Sequence, residues 1–188
     1  MLSLAAAVLM AATSAPAAPD ALPSPERRQE LLFEAARLGR SDIVEPLVRA
    51  GADIDGYDRR GFTPLILAAY SGHLDTVETL IEAGANPCKP DANQGNTAQM
   101  GAAFKGENAI AERLLKAGCD VNARNHAGQT ALMMAALFNR THQIELLVTA
   151  GADALISDTS GRTASSVARA QGNEAVAAAL AGAEPIQE

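Results

Sequence analysis

"GFTPLILAAYSGHLDTVETLIEAGANP", residues 61–87, decides the fold of this chain. Thr63 is placed to cap a helix whose first position is Pro64, where a missing N–H costs nothing. Gly72 permits a sharp reversal, and Leu74, Val77, Leu80 and Ile81 then recur at helical spacing along a second helix. Gly84 ends that helix in a left-handed conformation. The stretch is one copy of a recurring unit. Gly51, Gly84, Gly118 and Gly151 each follow an alanine at spacings of 33, 34 and 33. Gly61, Gly95, Gly128 and Gly161 precede x-Thr at spacings of 34, 33 and 33. Two independent landmarks with one period define an array. A single helix pair cannot bury its apolar face alone, so neighbouring copies must stack.

The residues that fill the period carry a family resemblance. Thr63-Pro64-Leu65, Ala68-Ala69 and Gly72-His73, with the closing segments "AGADIDGYDRRG", "AGCDVNARNHAG" and "AGADALISDTSG", resemble the ankyrin repeat. Ile66 stands where that family usually has histidine. Later copies keep only the threonine, at Thr97, Thr130 and Thr163, and Asn139-Arg140 replaces Gly-His in the fourth. The resemblance implies an all-α repeat solenoid of about five helix-turn-helix repeats, joined by β-hairpin-like loops. The boundaries read as an N-terminal cap at 26–60, repeats at 61–94, 95–127 and 128–160, and a C-terminal cap at 161–183. A tail follows at 184–188.

The first seventeen residues, "MLSLAAAVLMAATSAPA", differ from the rest. An apolar run followed by Ala15-Pro16-Ala17 has the form of a signal peptide cleaved near Ala17, with 18–25 as linker. No Lys or Arg precedes that run, and it is short for a membrane span, which needs about 20 apolar residues. Export to a bacterial periplasm, or secretion, is the expectation. A cytoplasmic scaffold is the alternative if the leader is not cleaved. The other bounds come from composition. Of 188 residues 48% are hydrophobic and only 3% aromatic, which suits closely packed helices rather than a sandwich. A net charge of −7 argues against nucleic acid as partner.

Little in the chain resembles catalytic equipment. His73, His126 and His142 fall at unrelated repeat positions, and no Ser, Thr or Cys has a base and an orienting partner beside it. The expectation is a non-enzymatic protein without metal or cofactor. Cys88 and Cys119 are the only cysteines. An oxidising compartment invites a bridge, but Cys88 lies four residues after its closing glycine and Cys119 one residue after the next. Repeats stacked about 10 Å apart, with that offset added, exceed the Cα limit of about 7 Å for a disulfide. The expectation is therefore two unpaired cysteines, with a bridge left open because "NPCKPDANQG" carries an extra residue and two prolines. Cys119 would be a small buried residue. Cys88 would be an incidental loop residue or, beside Lys89, a reactive thiol that makes the protein redox-responsive.

The resemblance also implies where a partner would bind, since ankyrin repeats hold other proteins on the loop tips and first-helix corners. By repeat register the corners supply Arg37, Leu38, Tyr70, Phe104, Lys105, Leu137 and Phe138, and the loops supply Tyr57, Arg59, Arg60, Phe62, Asn93, Gln94, Arg124, His126 and Arg162. Five of the six aromatic residues fall at these positions, and only Phe33 does not. Interface cores are enriched in aromatics and Arg. The expected partner is a protein with an acidic, partly apolar surface. Stress defence, or restraint of an enzyme or toxin, are roles that small bacterial proteins similar to this one would imply.

Overall fold

A computed structural model describes residues 23–182. The leader, its cleavage position and the 184–188 tail lie outside the described residues. Within them, ten helices form five pairs. The pairs are α1 Pro25–Leu38 with α2 Ser41–Arg49, α3 Pro64–Ser71 with α4 Leu74–Glu82, and α5 Ala98–Lys105 with α6 Asn108–Leu115. Then come α7 Ala131–Leu137 with α8 Thr141–Thr149, and α9 Ala164–Ala170 with α10 Glu174–Ala181. Each first helix packs on the next first helix, α1 on α3 on α5 on α7 on α9. The protein is an all-α repeat solenoid.

The threonine that survives in every drifted copy has a local job. Oγ1 of Thr63, Thr97, Thr130 and Thr163 accepts the backbone N–H three residues on, at 3.2–3.3 Å. A helix of seven or eight residues leaves a large share of its N–H groups without partners, so losing the cap would cost about 1 kcal/mol. At the reversal after α3, Gly72 takes φ +81° and lets the His73 N–H reach Ala68 O at 3.1 Å. Asn139 holds the matching position of the fourth repeat at φ +53°, the one non-glycine with positive φ among the described residues. Asparagine tolerates that region better than most side chains. The Arg140 N–H accordingly reaches Ala135 O at 2.8 Å, so the corner keeps its form.

The core divides into two clusters. One runs from Leu32 to Leu114 and is built on Leu32, Val44, Leu47, Leu65, Val77, Leu80 and Ile110. The other runs from Met100 to Leu180, includes Met100 and Met133, and has fewer large aliphatics, namely Leu132, Ile144, Leu147 and Leu180. Between them lies Gln143, wholly buried. Its Nε2 donates to Ala102 O across the junction at 3.0 Å, while its Oε1 has no partner.

The connecting loops form fingers with one recurring design. Asp58, Asp91, Asn125 and Asp158 occupy the same register, and the Oδ1 of each accepts at least two backbone N–H groups of its own turn. Fingers also bond to one another. The N–H groups of Ala92, His126 and Thr159 donate to Gly61 O, Gln94 O and Ala127 O at 2.8–2.9 Å.

One expectation is overturned. Cys88 and Cys119 are disulfide-bonded, with Cα atoms 5.4 Å apart, so Cys88 is not a reactive thiol and the redox-responsive reading falls with it. The offset along the loop does not add to the stacking distance, because it points along the stack. The fourth residue after each closing glycine leans toward the next repeat. The Asn86 N–H donates to Asp55 Oδ1 at 3.0 Å, and the Asp153 N–H to Asn122 Oδ1 at 2.8 Å, each pair 31 residues apart. Cys88 and Cys119 are also 31 apart, and their bond takes the place of that contact between the second and third repeats. Lys89 is engaged elsewhere, donating to Asp55 O at 2.8 Å and lying 4.5 Å from the centre of the Tyr57 ring. Cys119 is half-buried rather than a buried filler.

Candidate functional site

A groove of about 420 Å³ runs between the first helices and the fingers of the middle repeats. Its helical side carries Arg37, Ile66, Leu67, Tyr70, Ser71, Met100, Gly101, Phe104, Met134, Leu137 and Phe138. Its finger side carries Arg60, Phe62, Gln94, Asn96, Thr97 and Gln129. Eight of the sixteen positions taken from the sequence line it, namely Arg37, Arg60, Phe62, Tyr70, Gln94, Phe104, Leu137 and Phe138.

The aromatic residues form a ladder across three repeats. Tyr70 stacks on Phe104 with centroids 5.5 Å apart, and Phe104 meets Phe138 edge-on at 4.4 Å. These contacts brace neighbouring repeats, yet Tyr70 remains 47% exposed and Phe138 38%. A soluble chain keeps aromatic faces in water at a cost, so a partly uncovered ladder is a place where a partner would gain apolar burial.

Electrostatics distinguish the groove from the rest of the surface. The chain is acidic, yet no Asp or Glu lines the groove among the described residues. Arg60 lies over the Phe62 ring at 5.0 Å and Lys105 over the Tyr70 ring at 5.2 Å. Among the described residues neither has a carboxylate within ion-pair distance. Arg37 is shared, lying 3.8 Å from an oxygen of Asp58.

The remaining positions serve the array. Arg124 donates to Gly128 O and across to Ser157 O at 2.7 Å, while Arg162 pairs with Asp158 at 2.7 Å. His126 Nδ1 meets Asn93 O at 3.0 Å, and Asn93 Nδ2 donates to Arg60 O at 2.6 Å. Tyr57 donates its hydroxyl to Pro90 O at 3.1 Å. Lys105 sits above the ladder, and Arg59 and Leu38 are exposed outside the groove. The other histidines are placed by similar contacts. His73 Nε2 meets Arg37 O of the preceding repeat at 3.0 Å, and His142 lies 3.9 Å from Glu145.

Two finger carboxyls are shifted. Burial is the largest influence on Asp91 and would raise it. The backbone N–H groups of Gln94, Asn93 and Asn96, with the Asn96 side chain, outweigh burial and hold it below its ordinary value. Asp158 is lowered chiefly by the backbone N–H and the guanidinium of Arg162. Both act as turn-formers, and neither lines the groove.

Of the groove residues outside the sixteen sequence positions, Gly101 is the one without a side chain. It occupies, four residues after the capping threonine, the position held by Leu67, Met134 and Val167 in other repeats. The signal was available as a gap in an otherwise apolar register.

Comparison with known proteins agrees with the architecture. The family described as "Ankyrin repeats (3 copies)" matches residues 9–91, 32–125 and 99–188. Ankyrin repeat and SAM domain-containing protein 6 of Mus musculus is 35% identical over 104 residues, 55% of this chain and 12% of that protein. Ankyrin repeat domain-containing protein 63 of Mus musculus is 39% identical over 93 residues, 47% of this chain and 24% of that protein. Ankyrin repeat and SOCS box protein 3 of Homo sapiens is 35% identical over 91 residues, 47% of this chain and 18% of that protein. This chain therefore spans under a quarter of these relatives' own lengths.

Proposed function

The chain belongs to the ankyrin-repeat family and is a protein–protein interaction module; we propose that it acts without catalysis, in an oxidising compartment outside the cytoplasm, by holding an exported or envelope protein in the groove. The observation that carries the reading is the partly uncovered Tyr70–Phe104–Phe138 ladder in a groove that no carboxylate lines among the described residues. The partner offers an acidic, partly apolar surface, matched to Arg37, Arg60 and Lys105. Consequences at the level of the cell, such as stress defence or restraint of an enzyme or toxin, would follow from which protein is held.

The Cys88–Cys119 bond supports the compartment, since disulfides persist where thiols are not kept reduced. A leader ending near Ala17 agrees with it. Mass measurement of the protein isolated from its own cells tests both at once. A start near Ala18 and a mass two hydrogen atoms below that of the dithiol support export. An intact leader with free thiols returns the protein to the cytoplasm.

The binding reading is tested by capture from native extracts. The protein is compared with a Phe62→Ala, Tyr70→Ala, Phe104→Ala variant that gives the same helical circular dichroism. A partner retained only by the unsubstituted protein is expected. Equal retention by both would make the ladder purely a brace between repeats.

A further inference from the structure

Gly101 sits inside α5 and lines the groove. Glycine in a helix interior costs about 1 kcal/mol relative to alanine. Packing does not demand it here, since a Cβ built on Gly101 would meet nothing closer than Tyr70 at 3.8 Å, an ordinary contact. Nor does the backbone, because its φ is not in the left-handed region. Leu67 and Met134 fill the same register on either side and also line the groove. The array thus omits one apolar side chain from the middle of its binding face, beneath Tyr70 and beside Phe104.

We propose that the notch over Gly101 is an anchor pocket for a single large aliphatic or aromatic side chain of an extended acidic peptide segment. The inference rests on the binding role assigned to the groove above. Charge complementarity fixes the rest of the segment. Arg60 lines the same groove and Lys105 lies over the Tyr70 ring that borders the notch, neither with a carboxylate partner among the described residues. On the finger side the Asn96 amide and the Gln94 and Gln129 oxygens are bonded among themselves and to Asn125, which leaves the Nε2 groups of Gln94 and Gln129 to face the groove. An extended backbone has carbonyls to accept from those N–H groups, and its Asp or Glu residues would meet the cations.

The test uses a displayed library of random twelve-residue peptides, selected on the disulfide-bonded protein. Enriched peptides are then labelled and titrated by fluorescence anisotropy against four proteins. These are the unsubstituted chain, Gly101→Leu, Arg60→Glu and Phe104→Ala. Enriched sequences should share one Leu, Met or Phe close to Asp or Glu. Affinity should fall at least tenfold for Gly101→Leu, although that protein melts no lower than the parent, and several-fold for Arg60→Glu. Binding should weaken as salt rises. Absence of enrichment, enrichment of uncharged or basic peptides, or indifference to Gly101→Leu would overturn the anchor pocket. If peptides fail while Phe104→Ala abolishes capture of a folded partner, the groove reading survives and the pocket alone is lost. If Phe104→Ala changes neither, the groove reading falls as well.

Discussion

The first three repeats and the last two follow one plan but are held together differently. In the front, corners turn on glycine at Gly39, Gly72 and Gly106, the core is rich in Leu, Ile and Val, and a disulfide ties the second repeat to the third. In the rear, a corner turns on Asn139 and the core holds fewer Leu, Ile and Val residues and includes methionine. Gln143 sits at the seam with one oxygen unpaired. The front has orphans of its own in Arg28 Nε, the Thr76 hydroxyl and both polar atoms of the Gln99 amide, so unpaired atoms do not set the regions apart and the contrast rests on core volume and the bridge. It shows that a repeat array shares geometry along its length more evenly than it shares stability. Nearest-neighbour burial sets the local free energy, and burial follows side-chain volume.

The largest expected effect comes from replacing Cys88 and Cys119 together by serine. A loop of 31 residues predicts a loss of about 3.5 kcal/mol. Urea unfolding of the two proteins measures it, and an unchanged midpoint would remove the front's main advantage. Next, Leu80→Ala should cost about 3 kcal/mol, because a fully buried leucine leaves a cavity. Leu180→Ala should mainly loosen the last helix. Amide exchange distinguishes the two, with protection lost across the front in the first variant and confined to 164–182 in the second. Asn139→Ala should cost about 1 to 2 kcal/mol, since alanine lacks the side chain that makes the left-handed corner tolerable. Gln143→Met should raise stability by about 1 kcal/mol. It removes an unpaired buried oxygen, and Ala102 O keeps the N–H groups of Gly106 and Glu107. A loss instead would mean that the cross-repeat bond matters more than the orphan.

Acid should have the mildest effect, and on both regions. Asp91 and Asp158 have lowered pKa values, so their contribution is fully present above about pH 4 and is lost as pH falls through their folded values. The urea midpoint should be level from pH 7 to 5 and drop below pH 4. Asp91→Asn should shrink that drop while lowering the midpoint at pH 7. A midpoint that already falls between pH 7 and 5 would exclude the finger carboxyls as its cause.

The architecture was legible because glycine spacing reports backbone conformation directly. A helix that must stop at Gly84 or Gly118 stops there in any context. Groove positions were legible by register for Tyr70, Phe104 and Phe138, since corner residues have one place to go. Arg124, His126 and Arg162 read as partner-facing loop positions but reach carbonyls and a carboxylate of the fingers. Their destination depends on loop path, which the period does not encode. The disulfide was illegible for a related reason. The loop offset runs along the stack, as the Asp55–Asn86 contact shows, and the repeat period carries no sign of that direction. Gly101 escaped notice because an absent side chain leaves no residue type to count.

The bond between Cys88 and Cys119 has a mechanical meaning. Pulled apart by its ends, a solenoid of this kind peels repeat by repeat, and each released repeat adds contour length. The 31 residues from Cys88 to Cys119 cannot contribute while the bridge is intact, which withholds about 100 Å of extension. A single-molecule trace should therefore fall short by that length and recover it on adding reductant. The chain behaves as a rope with a stitched middle. It pays out from both sides of the groove while the backbone between the two sulfurs stays closed.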